Sequence, residues 1–327
     1  MKSIYKTLVI TPIDHIKNVK EKIKSYSKIT ILNDPSYTEV LRVISKYDAL
    51  FTNPNKSKVF IDKKLITKAK NLKCITTAST GTNHIDIEFL KKKRIKLISL
   101  TQEYPTIRKI TSTAEHALAL TLAQTRNVIE AANSVKKNEW NYLNFIGRQI
   151  SNLNVGVIGY GRLGKYYTKY CVALKSKVFI YDPYKKVKNK NIKQVKSVKE
   201  IFKKCDIISL HIHANSKNIN LINHSLLRFA KKELLLINTS RGEIVNEKDL
   251  LFFLKKNSKA KYATDVISNE IVGKKKNKLI NMYKKNSQIL ITPHIGGMTH
   301  EAQEIAYNRV AKLMGAFMKN YDMSTRL

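Results

Sequence analysis

The sequence predicts an α/β fold made of two consecutive domains, each built around a parallel sheet. Short apolar runs bounded by turn residues alternate with stretches of helical period, which is the pattern of βα units. This alternation occurs twice, on either side of a stretch at 112–140 that contains few helix breakers. The chain has 327 residues, of which 43% are hydrophobic, and this length suits two domains with buried cores.

In the first hundred residues, five apolar runs predict strands and four helix-period stretches predict helices. The strands are expected at 7–12, 28–32, 48–53, 73–79 and 95–100. The helices between them are expected at 16–26, 38–47, 63–71 and 87–94. Each strand before the last is therefore followed by a crossover helix, as a parallel sheet requires.

The segment 112–140, "STAEHALALTLAQTRNVIEAANSVKKNEW", predicts one long helix, because it is rich in alanine and leucine. Such a helix either links the two domains or packs on a second copy of the chain.

A second βα series follows the long helix. Its strands are expected at 154–159, 177–182, 206–212, 234–240, 260–266 and 288–295. Its helices are expected at 162–174, 198–205, 225–232, 247–257 and from Glu301 to about Tyr321. The lysine-rich stretch 184–199 is expected to be a solvated loop.

The formal net charge of +37 raises the possibility of a nucleic-acid binder. The basic residues are mostly lysines spread along the whole chain in short runs such as "LKKKR" and "GKKKNK". Lysine, isoleucine and asparagine share codons rich in A and T, so a coding bias explains their joint abundance. We therefore expect no specific nucleic-acid partner, only weak binding of polyanions at low salt.

The remaining composition indicates a cytoplasmic protein that does not span a membrane. No apolar run approaches the roughly 20 residues of a membrane span, and the N-terminus reads as a first strand rather than a signal peptide. The three cysteines, Cys74, Cys171 and Cys205, are scattered and show no disulfide or metal spacing. We expect buried thiols in a reducing compartment.

The second series opens with a glycine motif, Gly159-Tyr160-Gly161-Arg162-Leu163-Gly164, between a predicted strand and a predicted helix. The next strand ends in Asp182, at the spacing expected for dinucleotide binding. In such a turn Gly159 permits the tight bend, Gly161 admits the pyrophosphate and Gly164 allows close packing of helix and strand. The carboxylate of Asp182 favours NAD over NADP. The alternative is a tight turn without a ligand.

Three later strand ends finish in reactive side chains. Arg241 follows "LLLINTS", Asp265 and Glu270 lie in "DVISNE", and His294 lies in "TPHIGG". Taken singly, Arg241 can pair with a helix acid, Glu270 can be a solvated charge and His294 can sit in an ordinary turn. Because ligands collect at the carboxyl ends of parallel strands, their succession favours one common site.

These residue types suit the reduction of a 2-keto acid, which needs a cation, a proton and a hydride. Arg241 can bind a carboxylate in a planar fork. His294 can act as a general acid near neutral pH, with Glu270 stabilising its imidazolium. Asp265 can anchor the nicotinamide amide. His211 and His213 share one face of an extended segment, but no carboxylate or cysteine cluster supports a metal pair, so no metal is expected.

On these residues, the sequence resembles the D-isomer-specific 2-hydroxyacid dehydrogenases over essentially its whole length. The resemblance is carried by "TAEHAL" (113–118), "VGVIGYGRLG" (155–164), "INTSRGEIVNEKDL" (237–250), "DVISNE" (265–270) and "TPHIGG" (292–297). It implies two Rossmann-like or flavodoxin-like domains with the active site in the cleft between them. The expected domains are 1–105 plus 296–327 for the substrate and 106–295 for NAD.

The resemblance also implies site residues and partners. Arg241, Glu270 and His294 are expected to be catalytic. The expected cofactor contacts are Gly159, Gly161, Arg162, Leu163, Gly164, Asp182, His211, Thr239, Asp265, Gly296 and Gly297. Ser79, Thr80 and Gly81 would bind the substrate carboxylate together with Arg241. The expected partners are a small 2-hydroxy or 2-keto acid and a second copy of the chain, bound through 112–150.

The substrate and one alternative role stay open at this point. The stretch "STGTNHID" (79–86) is most similar to the phosphoglycerate dehydrogenase branch, yet Lys56 and Lys58 stand where that branch has arginines for a phosphate. Glu270 precedes Ile271 where proline is usual, and no regulatory domain is expected after the last helix. Glyoxylate or hydroxypyruvate reduction is the second possibility. A non-catalytic NAD-sensing interaction protein is the third.

Overall fold

The computed structural model describes residues 5–54, 59–187, 189–270, 277–284 and 286–324. The chain divides into two compact units. The first unit contains Met1–Ile110 and Met298–Leu327, and the second contains Thr111–Gly297. None of the described helices is long and apolar enough to cross a membrane.

The first unit contains five strands and six helices within the described residues. The strands are β1 (Tyr5–Val9), β2 (Ser27–Ile31), β3 (Ala49–Thr52), β4 (Cys74–Thr77) and β5 (Lys96–Ile98). The helices are α1 (Val19–Lys24), α2 (Tyr37–Val43), α3 (Lys63–Lys68), α4 (Ile87–Lys92), α5 (Tyr104–Ile107) and, from the end of the chain, α13 (His300–Ser324).

These strands form one parallel sheet in the order β2-β1-β3-β4-β5. Every residue of β3 and β4 is buried, because helices cover both faces of the sheet. On one face Val9 and Phe51 pack with side chains of α1 and α13. On the other face Leu8 and Leu50 pack with side chains of α2, α3 and α4.

The second unit contains seven strands and seven helices within the described residues. The strands are β6 (Asn154–Ile158), β7 (Lys177–Tyr181), β8 (Ile192–Gln194), β9 (Ile207–Leu210), β10 (Leu235–Asn238), β11 (Lys261–Thr264) and β12 (Ile289–Ile291). The helices are α6 (Ser112–Thr125), α7 (Val128–Val135), α8 (Arg162–Ala173), α9 (Val198–Lys204), α10 (His224–Leu227), α11 (Glu247–Lys256) and α12 (Lys278–Tyr283).

All seven strands are parallel, in the order β12-β11-β10-β9-β6-β7-β8. The order reverses between β6 and β9, which is the switch point where an open parallel sheet binds ligands at its carboxyl edge. Side chains of α6 and α8 cover one face of the sheet, and side chains of α9 and α11 cover the other. The α/β class and the two parallel sheets agree with the sequence-based prediction.

The chain passes from one unit to the other at Ile110/Thr111 and at Gly297/Met298. Helix α5 carries Ile107, whose side chain is buried in the first unit's core together with Leu100 and Val310. The first unit therefore extends to Ile110, and it resumes at Met298.

The prediction of one long helix over 112–140 is wrong. Asn127 adopts a left-handed conformation with φ +52°, which separates α6 from α7. The ammonium of Lys261 fixes this break by donating to the carbonyl of Gln124 and to Oδ1 of Asn127. The backbone N–H of Arg148 donates to the carbonyl of Thr125 at the end of α6. These tertiary contacts satisfy the groups that a continuous helix would have used.

Two further local predictions need correction. The expected solvated loop at 184–199 contains β8, which pairs with β7 from Val178 to Ile180. Because β8 is an edge strand with largely exposed side chains, it carries little hydrophobic pattern. Helix α12 was not predicted; Asn277 precedes it, and its side chain accepts the N–H groups of Leu279 and Ile280.

Candidate active site

The glycine motif forms the turn from β6 into α8. Gly159 has φ +93°, and its N–H donates to the carbonyl of Tyr181, 2.8 Å away. A side chain at Gly164 would overlap the carbonyl oxygen of Gly159, so glycine is required for this close approach. A Cβ at Gly161 would meet nothing within 4 Å, which leaves open space beside the start of α8.

Asp182 follows β7 and faces the glycine turn. One carboxylate oxygen accepts the N–H of Tyr160 at 2.7 Å, and the other accepts the N–H groups of Tyr184 and Lys185 at 2.9 and 3.1 Å. Arg162 begins α8, and burial lowers the pKa of its guanidinium. Leu163, the next residue, packs against the hydrophobic core on the sheet face that α6 and α8 cover.

His211 and Thr239 follow the two central strands β9 and β10. Nε2 of His211 lies 2.9 Å from Oγ of Ser209, and its ring packs on Tyr167 with the centroids 5.0 Å apart. Burial lowers the pKa of His211 to about 3, so the ring is neutral at physiological pH. Nδ1 of His211 and Oγ1 of Thr239 are buried, and neither has a hydrogen-bond partner among the described residues.

The residues around β6, β7, β9 and β10 therefore fit a dinucleotide. The turn offers open space at Gly161 and a helix start at Arg162 for the pyrophosphate. Asp182 offers a carboxylate for ribose hydroxyls, and the unpaired polar atoms of His211 and Thr239 offer further contacts. Among the described residues, no group of three or more metal-ligating side chains comes together.

Arg241 lies just after β10. Its Nη1 donates to the carbonyl of Ser240 at 2.6 Å. Burial lowers the pKa of Arg241, while the carboxylates of Glu270 and Glu243 oppose that shift. A side chain at Gly242 would overlap the carbonyl carbon of Ile267, so this glycine allows the loops after β10 and β11 to touch.

His294 and Glu270 form a direct pair. Nδ1 of His294 lies 2.7 Å from Oε1 of Glu270, and the two side chains are 18% and 31% exposed. His294 adopts a left-handed backbone with φ +57°, a conformation that costs about 1–3 kcal/mol in a residue other than glycine. The histidine is therefore held in a strained loop, with one ring nitrogen committed to a carboxylate.

Asp265 stabilises the His294 loop by accepting hydrogen bonds from residues on both sides of His294. Its Oδ1 accepts the hydroxyl of Thr292 at 2.6 Å and the N–H of Ile295 at 2.8 Å. Its Oδ2 accepts the N–H of Gly296 at 2.7 Å, and Nε2 of His116 lies 3.4 Å from Oδ1. Burial by itself would raise the pKa of Asp265, but the hydrogen bonds of these four residues outweigh it and lower the pKa.

Among the described residues, Asp265 is the one buried acidic side chain, with 2% of its surface exposed. Sequence reasoning assigned it to the nicotinamide amide and missed its contacts with the loop. A carboxylate has about four acceptor positions, and Oδ2 uses one of its two for Gly296. A Cβ at Gly296 would lie 3.0 Å from Oδ2, so a residue without a side chain suits this position.

Sequence reasoning also missed the contribution of His116 and Gly242. His116 lies on α6, and its Nε2 is 2.9 Å from Oγ1 of Thr292. The signals were weak: a polar residue in an alanine-rich helix and a glycine directly after the arginine. Only the folded sheet brings their partners close.

In the first unit, Ser79, Thr80 and Gly81 form the loop after β4. The hydroxyl of Ser79 donates to the carbonyl of Gly81 at 2.6 Å, and the hydroxyl of Thr101 donates to the carbonyl of Thr80 at 3.0 Å. These bonds fix a polar loop at the carboxyl end of a buried strand. Lys56 and Lys58, the expected substitutes for phosphate-binding arginines, lie outside the described residues.

Residues 118–296 match the NAD-binding domain of the D-isomer-specific 2-hydroxyacid dehydrogenases. This match covers more than half of the chain and includes the glycine turn, Asp182, Arg241, Asp265, Glu270 and His294. The chain belongs to the D-isomer-specific 2-hydroxyacid dehydrogenase family.

Named members of this family show similar sequences. The D-3-phosphoglycerate dehydrogenase of Archaeoglobus fulgidus is 32% identical over 300 residues, which is 91% of this chain and 54% of that protein. The glyoxylate reductase of Thermococcus litoralis is 30% identical over 315 residues, which is 93% of this chain and 91% of that protein. The chain spans about half the length of the phosphoglycerate dehydrogenases it matches first.

Solved structures of other enzymes share the fold of this chain. The D-lactate dehydrogenase of Aquifex aeolicus, complexed with NAD and lactic acid, is 26% identical, with a TM-score of 0.81 over 98% of this chain and 96% of that one. An acyclic imino acid reductase in complex with NADPH and D-Arg is also 26% identical, with a TM-score of 0.78 over 96% and 97% of the two chains. The two-domain α/β architecture predicted from the sequence is therefore confirmed.

Proposed function

We propose that this protein transfers a hydride between NAD(H) and a small D-2-hydroxy acid or 2-keto acid. The observation that carries the proposal is the 2.7 Å pair between His294 and Glu270, in a domain of the NAD-binding type. Arg241 supports it, because burial lowers the pKa of its guanidinium and the carboxylate of Glu270 opposes that shift.

In the proposed reduction, Arg241 binds the substrate carboxylate through its planar fork. NADH supplies the hydride when it is bound. Because Nδ1 of His294 is committed to Glu270, the proton for the carbonyl oxygen is carried on Nε2. Glu270 stabilises the imidazolium before transfer, and in the reverse direction the neutral ring accepts the proton.

NAD rather than NADP is the cofactor we propose. Asp182 places a carboxylate beside the glycine turn, where it binds ribose hydroxyls and repels a 2′-phosphate. Oγ1 of Thr239, Nδ1 of His211 and the second acceptor position of Asp265 Oδ2 are the further groups that we assign to the cofactor.

The substrate branch is open between a phosphorylated and a small unphosphorylated acid. Relatives named phosphoglycerate dehydrogenase and glyoxylate reductase match at comparable identity. We propose that backbone N–H groups of Ser79, Thr80 and Gly81 bind the substrate carboxylate. The preference for 3-phosphoglycerate then depends on whether Lys56 and Lys58 bind a phosphate.

A substrate panel tests the proposal. NADH oxidation is followed at 340 nm with 3-phosphohydroxypyruvate, hydroxypyruvate, glyoxylate, pyruvate and 2-ketoglutarate, with NADPH as the comparison. Preference for the phosphorylated acid, lost in a Lys56→Ala/Lys58→Ala variant, assigns the phosphoglycerate branch. Preference for glyoxylate or hydroxypyruvate assigns the reductase branch. NADH binding without turnover on any acid of the panel contradicts a small 2-keto acid as the substrate and favours a larger substrate or an NAD-sensing protein.

We also propose a homodimer that forms through the region 112–150. An apolar surface lies exposed there, formed by Val128, Ile129, Val135, Trp140, Tyr142, Leu143 and Ile146, and the Trp140 side chain is 89% exposed. Large exposed apolar patches mark protein interfaces. In a two-fold symmetric dimer, the patches of the two copies would bury each other.

Light scattering of the purified protein tests this partner. We expect a dimer for the natural sequence and a monomer for Trp140→Glu combined with Ile146→Glu. Tyr184→Glu is the matched control, because Tyr184 is 90% exposed but lies outside the patch. A monomer at micromolar concentration for the unaltered protein would contradict the proposal.

We further propose a cytoplasmic location. The thiols of Cys74, Cys171 and Cys205 are unpaired and buried, which suits a reducing compartment. Cell fractionation tests this location, and recovery in an oxidising compartment would contradict it.

A further inference from the structure

A histidine outside the assigned catalytic set touches the loop that carries His294. His116 lies on α6, and its Nε2 is 2.9 Å from Oγ1 of Thr292 and 3.4 Å from Oδ1 of Asp265. The His116 side chain is only 17% exposed. All of these groups belong to the second unit.

The direction of these hydrogen bonds follows from the chemistry of the partners. The carboxylate of Asp265 accepts, so the Thr292 hydroxyl gives its one proton to Oδ1 over 2.6 Å. Oγ1 of Thr292 can then only accept from His116. Nε2 of His116 therefore carries a proton, and His116 donates into the network.

The network ends on the two peptide groups next to His294. Asp265 accepts the N–H groups of Ile295 and Gly296. The Thr292 hydroxyl and His116 contact the same Asp265 carboxylate. They therefore stabilise the orientation in which it accepts both N–H groups. Release of that orientation would free the left-handed backbone of His294 and loosen its contact with Glu270.

We propose that His116, acting through Thr292 and Asp265, is a positioning residue that holds His294 against Glu270 for proton transfer. This inference rests on the proposed dehydrogenase function. We expect His116 to act on the proton step rather than on NADH affinity, because His116 and Thr292 contact Oδ1 of Asp265, whereas the acceptor position assigned to the cofactor is on Oδ2.

Four variants isolate this role. His116→Leu and Thr292→Val remove one hydrogen-bonding group each at similar size. His116→Gln and Thr292→Ser are the conservative partners, because an amide N–H and a hydroxyl can restore the bonds. His224→Leu is the matched control on α10, where the His224 ring packs on Phe252 with the centroids 6.2 Å apart.

Kinetics provide the first readout. We expect kcat to fall about 10- to 100-fold in His116→Leu and Thr292→Val, as for a misplaced catalytic group, with the Kd for NADH changed less than about twofold. The solvent deuterium isotope effect on kcat should rise and the isotope effect with 4-deuterated NADH should fall, because proton transfer becomes limiting. The conservative variants should recover most of kcat, and His224→Leu should match the natural protein.

Nuclear magnetic resonance provides a readout that does not need turnover. The proton that His294 Nδ1 shares with Glu270 should give a downfield resonance, because it lies in a short charge-assisted hydrogen bond. We expect this resonance in the natural protein, in His116→Gln and in His224→Leu. In His116→Leu it should be lost or broadened by exchange with water.

The outcomes separate the two proposals. A natural protein without turnover on any 2-keto acid overturns the proposed function, while the resonance still tests the positioning of His294. If the natural protein is active, unchanged kcat and resonance in His116→Leu overturn the positioning role. A lower kcat with both isotope effects unchanged also overturns it, since that result indicates only a reduced folded fraction. If His116→Leu does not fold, Thr292→Val decides the same question.

Discussion

Two aspartates follow two strands of the same sheet, and the fold uses them differently. Asp182 follows β7 and accepts three backbone N–H groups of neighbouring turns while staying partly exposed. Asp265 follows β11, is buried, and accepts a hydroxyl as well as two backbone N–H groups of the His294 loop. Sequence reasoning gave both residues the same kind of role, a contact with the cofactor.

The comparison shows that burial determines which groups a carboxylate binds. A partly exposed carboxylate keeps acceptor positions for a ligand and discriminates between ligands by charge. A buried carboxylate is costly unless several donors surround it, and those donors are then fixed in place. Asp182 therefore suits selection of the cofactor, and Asp265 suits positioning of the acid/base pair.

The largest effect is expected for a change at His294, the proposed general acid in the loop that Asp265 stabilises. We expect His294→Ala to lower kcat by about 100- to 10,000-fold, the usual contribution of a general acid, with NADH affinity unchanged. Steady-state kinetics and a fluorescence titration with NADH measure the two quantities, and His224→Ala is the control. Turnover within a few-fold of the natural protein would remove His294 from the mechanism.

An intermediate effect is expected for Asp265→Asn on stability. Breaking a buried, hydrogen-bonded charge should lower the free energy of unfolding by about 3 kcal/mol at pH 7. Because the pKa of Asp265 is lowered in the folded state, its stabilisation is present above the unfolded pKa of about 3.9 and is lost as the pH falls through the folded pKa.

Urea unfolding followed by circular dichroism measures this effect. The difference between the natural protein and Asp265→Asn should be constant from pH 7 to pH 5 and should shrink below about pH 4. Asp14→Asn is the control, since Asp14 is exposed and forms a surface ion pair with Lys20. A difference that grows on acidification would contradict the structural role of Asp265.

The smallest effect is expected at the other aspartate. Asp182→Asn should raise the KM for NADH about tenfold and improve the use of NADPH relative to NADH, because the repulsion of a 2′-phosphate is removed. Its unfolding free energy should change less than that of Asp265→Asn. If Asp265→Asn shifted the NADPH/NADH ratio as much as Asp182→Asn, the division of roles between the two aspartates would be wrong.

Most of the fold was predictable because its signals are local. The buried strands β3, β6 and β9 are short apolar runs, and the glycine turn needs residues of fixed type at fixed spacing. Edge strand β8 was missed, because a largely exposed strand carries little hydrophobic alternation. Helix α12 was missed as well. The break at Asn127 was missed because Lys261, whose ammonium fixes it, lies far away in the sequence.

By itself the sequence determined the two α/β units, the glycine turn and the residue types at each strand end, because these depend on neighbours within a few positions. Only the tertiary structure decided which strand ends share an edge and which groups pair across them. Hydrogen bonds such as those from Thr292 to Asp265 and between His294 and Glu270 join residues more than twenty positions apart. Such contacts depend on sheet order and burial, which no local pattern specifies.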